Sequence, residues 1–180
     1  MNTIVIYKSK YGATETYAKW IAEDLGCEAV KADDIKKKDL LKYDLIVYGG
    51  GIHAGGIIGF DLIKKAYRKL ADKKIIVFAV GMNPMSEDII KELKDINLNK
   101  KTKDLRIFYL VGAFDPSILK GFDAWLINRI KGMIKRIPVV NRTDSENENL
   151  NRLNYGGNWI DRDSILPIVE EAKIYINDNK

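Results

Sequence analysis

The chain has 180 residues, of which 46% are hydrophobic and 31% are charged. This balance is typical of a globular protein and excludes a disordered one, and the length predicts one domain over residues 1–180. No apolar run approaches the roughly 18 residues needed to cross a bilayer. The first residues, Met1 and Asn2, lead straight into a strand pattern and lack a secretory signal, so we expect a cytoplasmic protein.

Cysteine content and charge limit the kinds of site. The single cysteine, Cys27, excludes an internal disulfide and a multi-cysteine metal site, and its expected role is a buried structural thiol. The net charge of +5 favours anionic partners. Because the lysines are scattered in short groups, most are expected on solvated surfaces. We predict no bound metal and no nucleic-acid partner.

Apolar, β-branched runs alternate with amphipathic helical patterns along the chain. Strands are predicted at residues 3–7, 28–31, 43–48, 74–80 and 106–112. Helices are predicted at residues 14–25, 59–70, from Ser86 onward, and at 164–177, with a weak helix or connection at 36–41. Strands that are apolar throughout and alternate with helices indicate a parallel sheet covered on both faces. The predicted fold is therefore α/β, a three-layer, doubly wound, five-stranded parallel sheet.

The turn after the first strand, residues 9–14, combines hydroxyl side chains with a glycine and opens directly onto a helix. Backbone N–H groups at a helix N-terminus lack partners, and the helix dipole favours an anion there. This turn therefore predicts a phosphate site. The sequence contains no GxxxxGK[ST] motif, which disfavours a kinase or other nucleoside triphosphatase.

Two further loops follow the third and fourth strands, at residues 49–56 and 81–85. In a doubly wound sheet, ligands bind outside the carboxyl ends of the strands, so the three loops are expected to converge. Residues 49–54 match G-x-G-x-x-A, but they follow the third strand and no acidic residue ends the next one, which disfavours a dinucleotide site. Five glycines within eight residues exceed the needs of a tight turn. Close backbone approach to a flat ligand is the favoured explanation.

The Ser-x-x-Gly-x-Thr turn between a strand and a helix resembles the phosphate loop of a flavodoxin, and the likeness covers about residues 1–115 and 160–180. This resemblance implies flavin mononucleotide (FMN) as the cofactor, with its phosphate on the first turn and its ring between the other two loops. The implied cofactor-binding residues are Ser9, Lys10, Tyr11, Gly12, Ala13, Thr14, Gly50, Gly51, Ile52, His53, Ala54, Gly55, Gly81, Met82, Asn83, Pro84 and Met85.

The two ring loops depart from electron-carrier flavodoxins, which commonly enclose the ring with aromatic side chains. Here the loops offer Ile52, His53, Met82 and Met85, which predicts a ring more open to a substrate. Carriers of this type are also usually acidic, whereas this chain is basic. His53 is the only histidine and the candidate catalytic residue, because near a flavin it can stabilise negative charge on the reduced form. The alternative is that it is only a polar spacer.

An insertion at about residues 116–160 contains a basic amphipathic helix over residues 122–137. Its predicted apolar face consists of Phe122, Leu126, Ile130, Met133, Ile134 and Ile137. Lys131 and Lys135 lie on the opposite face. Such a helix suits the surface of an anionic membrane. The alternatives are packing on its own sheet or on a second subunit, as in a homodimer.

With this insertion, the chain resembles most closely the flavodoxin-like, menaquinone-dependent protoporphyrinogen dehydrogenases. The resemblance implies an enzyme that takes hydrogen from a tetrapyrrole and passes it to a quinone, possessing a basic rim at Lys120, Arg129 and Lys131 that suits propionate groups. The alternative for that rim is a solvated face. Two other functions stay open: a soluble electron-transfer flavodoxin that serves a redox protein, and a flavin-free interaction module.

Overall fold

A parallel sheet lies at the centre of the fold in the computed structural model, which describes residues 1–178. Its strands are β1 (Thr3–Lys8), β2 (Glu28–Lys31), β3 (Leu45–His53), the short β4 (Gly56–Ile57), β5 (Lys74–Gly81) and β6 (Ile107–Val111). The order is β2-β1-β3-β5-β6, all parallel, and β4 pairs antiparallel with the end of β3. The predicted doubly wound sheet of five parallel strands is confirmed, and β4 is an addition that the sequence pattern did not predict.

Helices cover both faces of this sheet. The helix α1 (Ala13–Leu25) packs on one face, and α2 (Asp61–Ala66) and α3 (Glu87–Asn97) pack on the other. Along β1, Ile4 and Ile6 point into one core, whereas Val5 and Tyr7 point into the other. Because helices bury both faces of the sheet, the strand sequences are apolar at nearly every position.

The helix ends follow local capping chemistry. Gly26 ends α1 in the left-handed conformation with φ 63°, which glycine adopts at little cost. Ser86 begins α3 by accepting a hydrogen bond from the Ile89 N–H at 3.3 Å. Residues 59–70 form α2 followed by one 3₁₀ turn, Tyr67–Leu70. Residues 36–41 were predicted to form a weak helix or a connection. They overlap a single 3₁₀ turn, Asp39–Lys42.

The glycines after the third predicted strand belong to β3 itself, which corrects the expectation of a loop starting at residue 49. Gly49 and Gly50 pair with β1, and residues 49–51 also pair with β5. A strand bonded on both sides overrides the weak strand preference of glycine. The loop shrinks to a hairpin turn at Ala54 and Gly55, both with positive φ.

The insertion forms a small unit at the carboxyl edge of the sheet. It contains β7 (Ala113–Phe114), α4 (Gly121–Arg136), α5 (Asp144–Tyr155) and β8 (Gly157–Asn158), and β7 pairs with β8 to close its base. The chain then returns to α6 (Leu166–Asn177) on the same face as α1. The helix α5 was not predicted, although Thr143 and Glu146 form a capping box at its start.

Candidate functional site

A cavity of about 440 Å³ lies where β1, β3, β5 and β6 end, beneath the insertion. This volume lies in the range of small-molecule binding pockets. Most of the predicted cofactor-binding residues line it, namely Ser9, Lys10, Tyr11, Ala13, Thr14, Gly51, Ile52, His53, Ala54, Gly55, Gly81, Met82 and Asn83. Four others do not contribute to its walls: Gly12, Gly50, Pro84 and Met85.

The turn at residues 9–14 has the geometry of an anion site. The Ser9 Oγ accepts a hydrogen bond from the Gly12 N–H at 3.1 Å, and Gly12 adopts φ 96°. Within residues 1–178, no side chain caps the start of α1. The N–H groups in the first turn of α1 therefore have no side-chain cap. The positive end of the helix dipole lies at the same end of the helix, next to the cavity.

The hairpin between β3 and β4 is held by α3. The buried side chain of Asn97 donates to the Gly55 carbonyl at 3.0 Å and accepts from the Ile57 N–H at 2.8 Å. The packing of the protein itself requires glycine at positions 49 and 50, because a Cβ at Gly49 would collide with Phe78 and one at Gly50 with Ile57. For these two glycines, packing replaces the expected close approach to a flat ligand. Gly51 and Gly55 line the cavity.

A carboxylate from the insertion joins the first turn to the hairpin. Lys10 Nζ and Tyr11 Oη both donate to Asp123 Oδ2, and His53 Nε2 lies 2.9 Å from Asp123 Oδ1. These bonds, that from Lys10 first, hold the pKa of Asp123 well below its usual range. An ionised carboxylate only accepts hydrogen bonds, so Nε2 carries the proton that His53 donates.

Asp123 was missed at the level of sequence, although a signal was present. It is the only acidic residue in residues 121–137, a segment with four basic ones. Its side chain is 13% exposed, and its three partners come from two loops that are distant in sequence. Only the tertiary structure brings these groups together.

The helix α4 covers the cavity with Leu126, Ile127, Ile130 and Ile134. Phe122 and Met133, which the sequence placed on the same apolar face, are 61% and 58% exposed. The inward face therefore includes Asp123 and Ile127, which the predicted apolar face did not contain. The inner side of α4 therefore closes the cavity, and Phe122 stacks outside on Trp125, with ring centroids 5.4 Å apart.

The predicted basic rim does not contribute to the walls of the cavity. None of Lys120, Arg129 and Lys131 is among the residues that line it, and the Arg129 guanidinium lies 5.6 Å from the centre of the Trp125 ring. A role for this rim in binding carboxylates stays a prediction.

Aromatic side chains reach the cavity from elements other than the two ring loops. Tyr109 on β6 and Phe114 on β7 both line it. Tyr109 Oη donates to the Asn83 carbonyl at 2.7 Å, and burial raises the pKa of Tyr109 to about 12. Tyr109 therefore stays a hydrogen-bond donor at neutral pH and fixes the loop after β5.

The residues present fit FMN. The first turn of α1 and the nearby Lys10 suit a phosphate. Residues of the hairpin and of the loop after β5 line the same cavity, so a flat ring would lie between these two segments. The buried Oδ1 of Asn83 has no hydrogen-bond partner among residues 1–178. A ligand with a polar edge would satisfy it.

Comparisons with known proteins place the chain in a family. No curated protein matches it. An archaeal flavodoxin is 13% identical, over 86% of this chain and 100% of its own, with a TM-score of 0.45. Oxidised flavodoxin 1 from Bacillus cereus is 20% identical, over 62% of this chain and 84% of its own, at 0.44.

Rubredoxin oxygen:oxidoreductase from Desulfovibrio gigas is 13% identical, over 94% of this chain and 36% of its own, at 0.43. Similarities this low carry no argument about function. The family model of the flavodoxin domain, in contrast, matches residues 4–138, about three quarters of the chain. The chain therefore belongs to the flavodoxin domain family, whose cofactor is FMN and whose role is electron transfer.

Proposed function

We propose that the protein is an FMN-dependent oxidoreductase that oxidises a bulky, apolar, anionic substrate of the porphyrinogen type and passes the electrons to a quinone. The observation that carries this proposal is the roof formed by α4. A pure electron carrier exchanges electrons through an exposed ring edge and has no need of an apolar chamber. Here Leu126, Ile127 and Ile130 extend the cavity beyond the predicted cofactor loops.

The apolar roof favours a substrate whose body is hydrophobic. Burying an apolar surface against such side chains is favourable by roughly 25 cal/mol per Å². Acidic groups of the same substrate would remain at the rim, where Lys120, Arg129 and Lys131 supply positive charge. This division matches a macrocycle with propionate groups.

His53 and Asp123 supply acid–base chemistry beside the cavity. When bound, FMN supplies the ring that accepts electrons. Asp123, whose lowered pKa keeps it ionised, accepts a hydrogen bond from His53 Nε2 and so orients the His53 ring. A histidine held with a proton on Nε2 can take up or release a second proton at Nδ1. Removing hydrogen from a substrate requires such a proton acceptor.

The outer side of α4 supports contact with a membrane that contains the quinone. Trp125 and Met133 are 54% and 58% exposed, and Arg129 lies beside Trp125. Aromatic and basic side chains on one helix surface suit the interface of an anionic bilayer. Among residues 1–178, no helix has the length and hydropathy to span a membrane.

The decisive experiment is anaerobic oxidation of protoporphyrinogen by the FMN-loaded protein with a menaquinone analogue, followed by porphyrin fluorescence. We expect turnover in the wild type. Ile127→Asp should lose turnover while keeping the flavin absorption, because it places a charge in the roof. Wild-type protein that binds FMN but shows no turnover would contradict the proposal.

Membership of the flavodoxin family favours a second function, that of a soluble electron carrier for redox proteins. Rapid reduction by a flavodoxin reductase together with no porphyrinogen oxidation would support the carrier. A purified protein that is colourless and takes up no added FMN would instead support a flavin-free interaction module.

A further inference from the structure

Two carboxamide oxygens of the cavity lack hydrogen-bond partners. The Oδ1 atoms of Asn83 and Asn149 are buried, and neither has a partner among residues 1–178. Both residues line the same cavity. Buried polar atoms are nearly always paired in native structures, so two unpaired acceptors in one cavity indicate a ligand that brings a donor.

Asn149 comes from the insertion rather than from the three cofactor loops. It lies on α5, one turn before Arg152 and Leu153, and residues with this spacing share a helix face. The Arg152 guanidinium donates to the Met82 carbonyl at 2.6 Å, and Leu153 is 1% exposed. The helix α5 is therefore fixed against the loop that carries Asn83.

The chemistry of the flavin ring matches these two side chains. One edge of oxidised flavin carries a single N–H donor, at N3, between two carbonyl acceptors. A carboxamide oxygen can accept from N3–H, and the nitrogen of a carboxamide can donate to a neighbouring carbonyl. Two carboxamides therefore complement this edge, whereas an apolar wall would leave all of its polar groups unpaired.

We propose that Asn149 is a flavin-binding residue contributed by the insertion, and that its Oδ1 accepts the N3–H of the ring. The insertion is then part of the cofactor site as well as the roof over it. This proposal rests on the cofactor of the family and not on the identity of the oxidised substrate.

The test compares FMN with its N3-methyl analogue, which lacks the N3–H donor. In the wild type, the analogue should bind more weakly than FMN, by up to about tenfold for one hydrogen bond. Asn149→Leu should weaken FMN by a similar factor and bring the two affinities close together. Quenching of flavin fluorescence measures both dissociation constants without any turnover.

Two further variants make the result specific. Asn149→Asp keeps an acceptor, so it should keep the preference for FMN over the N3-methyl analogue. Its added negative charge should also lower the reduction potential of the bound flavin. Asn151→Leu changes an exposed asparagine on the same helix, and we expect it to behave as wild type.

The proposal is overturned if Asn149→Leu, folded by circular dichroism, binds FMN like the wild type with the same ratio between the two flavins. It is also overturned if Asn151→Leu shows the same loss. Absence of porphyrinogen oxidation would leave the inference intact, since the measurement is of binding alone.

Discussion

Asp123 and His53 show how single residues set the chemistry of the cavity. The carboxylate accepts from Lys10, Tyr11 and His53 together. Together these bonds give a histidine with a defined proton position at the wall of the cavity.

At this scale we predict that His53→Ala leaves FMN bound but makes its reduction potential more negative, by tens of millivolts. With Nε2 bonded to Asp123, His53 can take up a second proton at Nδ1 as the ring is reduced, and the resulting positive charge stabilises negative charge on the ring. His53→Gln cannot take up this proton, so it should show a similar shift. Anaerobic titration with redox dyes measures the change, and an unchanged potential in His53→Ala would refute this role.

Cys27 is half-buried rather than fully buried as the sequence predicted. Burial raises the pKa of its thiol to about 11. Because the thiolate is the reactive form, alkylation of the folded protein by iodoacetamide should be slow at pH 8 and should accelerate only toward pH 11. The unfolded protein in urea should react much faster at pH 8, and equal rates would contradict the prediction.

At the scale of elements, β3 depends on glycine because its neighbours occupy the space of a side chain. The ring of Phe78 lies directly against Gly49. We predict that Gly49→Ala lowers the free energy of unfolding by about 1–3 kcal/mol through overpacking. Adding Phe78→Leu should recover part of this loss. A urea double-mutant cycle measures it, and additive effects would exclude the clash as the cause.

The helix α4 is held at its first turn by Asp123. We predict that Asp123→Asn increases hydrogen exchange in residues 121–136 and speeds FMN dissociation several-fold, because the charge-assisted bonds are weakened. Asp95→Asn, an exposed carboxylate on α3, serves as the control. Equal exchange in the two variants would argue against the anchor.

The pH dependence of this anchor follows from the same carboxylate. The pKa of Asp123 is lower in the folded protein than its ordinary value. A group with a lowered folded pKa stabilises the fold above its unfolded pKa and loses that contribution as the pH falls through the folded value. The protection of residues 121–136 against hydrogen exchange, measured relative to the intrinsic exchange rate at each pH, should therefore stay constant from pH 8 to pH 5.

At the scale of the whole molecule, the net charge of +5 and the outer side of α4 act together. We predict that the protein floats with anionic liposomes and that Trp125→Glu/Met133→Glu abolishes flotation. Ile130, although apolar, lines the cavity and is not part of this surface. Ile174→Glu changes an exposed apolar residue of α6 and should float as wild type. Equal flotation of all three proteins would argue against docking through α4.

The framework of the fold and the position of the cavity could be predicted from residue patterns alone. The periods of apolar residues and the capping residues Gly26 and Ser86 act locally, so the strands, helices and their alternation could be predicted. Alternation then implied a parallel sheet, and the three loops at its carboxyl edge followed from that topology.

The residues that close the cavity could not be predicted in the same way. The inward face of α4, the three bonds of Asp123, the place of Asn149 and the packing of Gly49 against Phe78 all join residues that are distant in sequence. The spacing of residues in a helix predicts which side chains share a face, but it does not predict what that face contacts. These contacts depend on the balance of packing and hydrogen bonding in the folded chain, which no local pattern of residues contains.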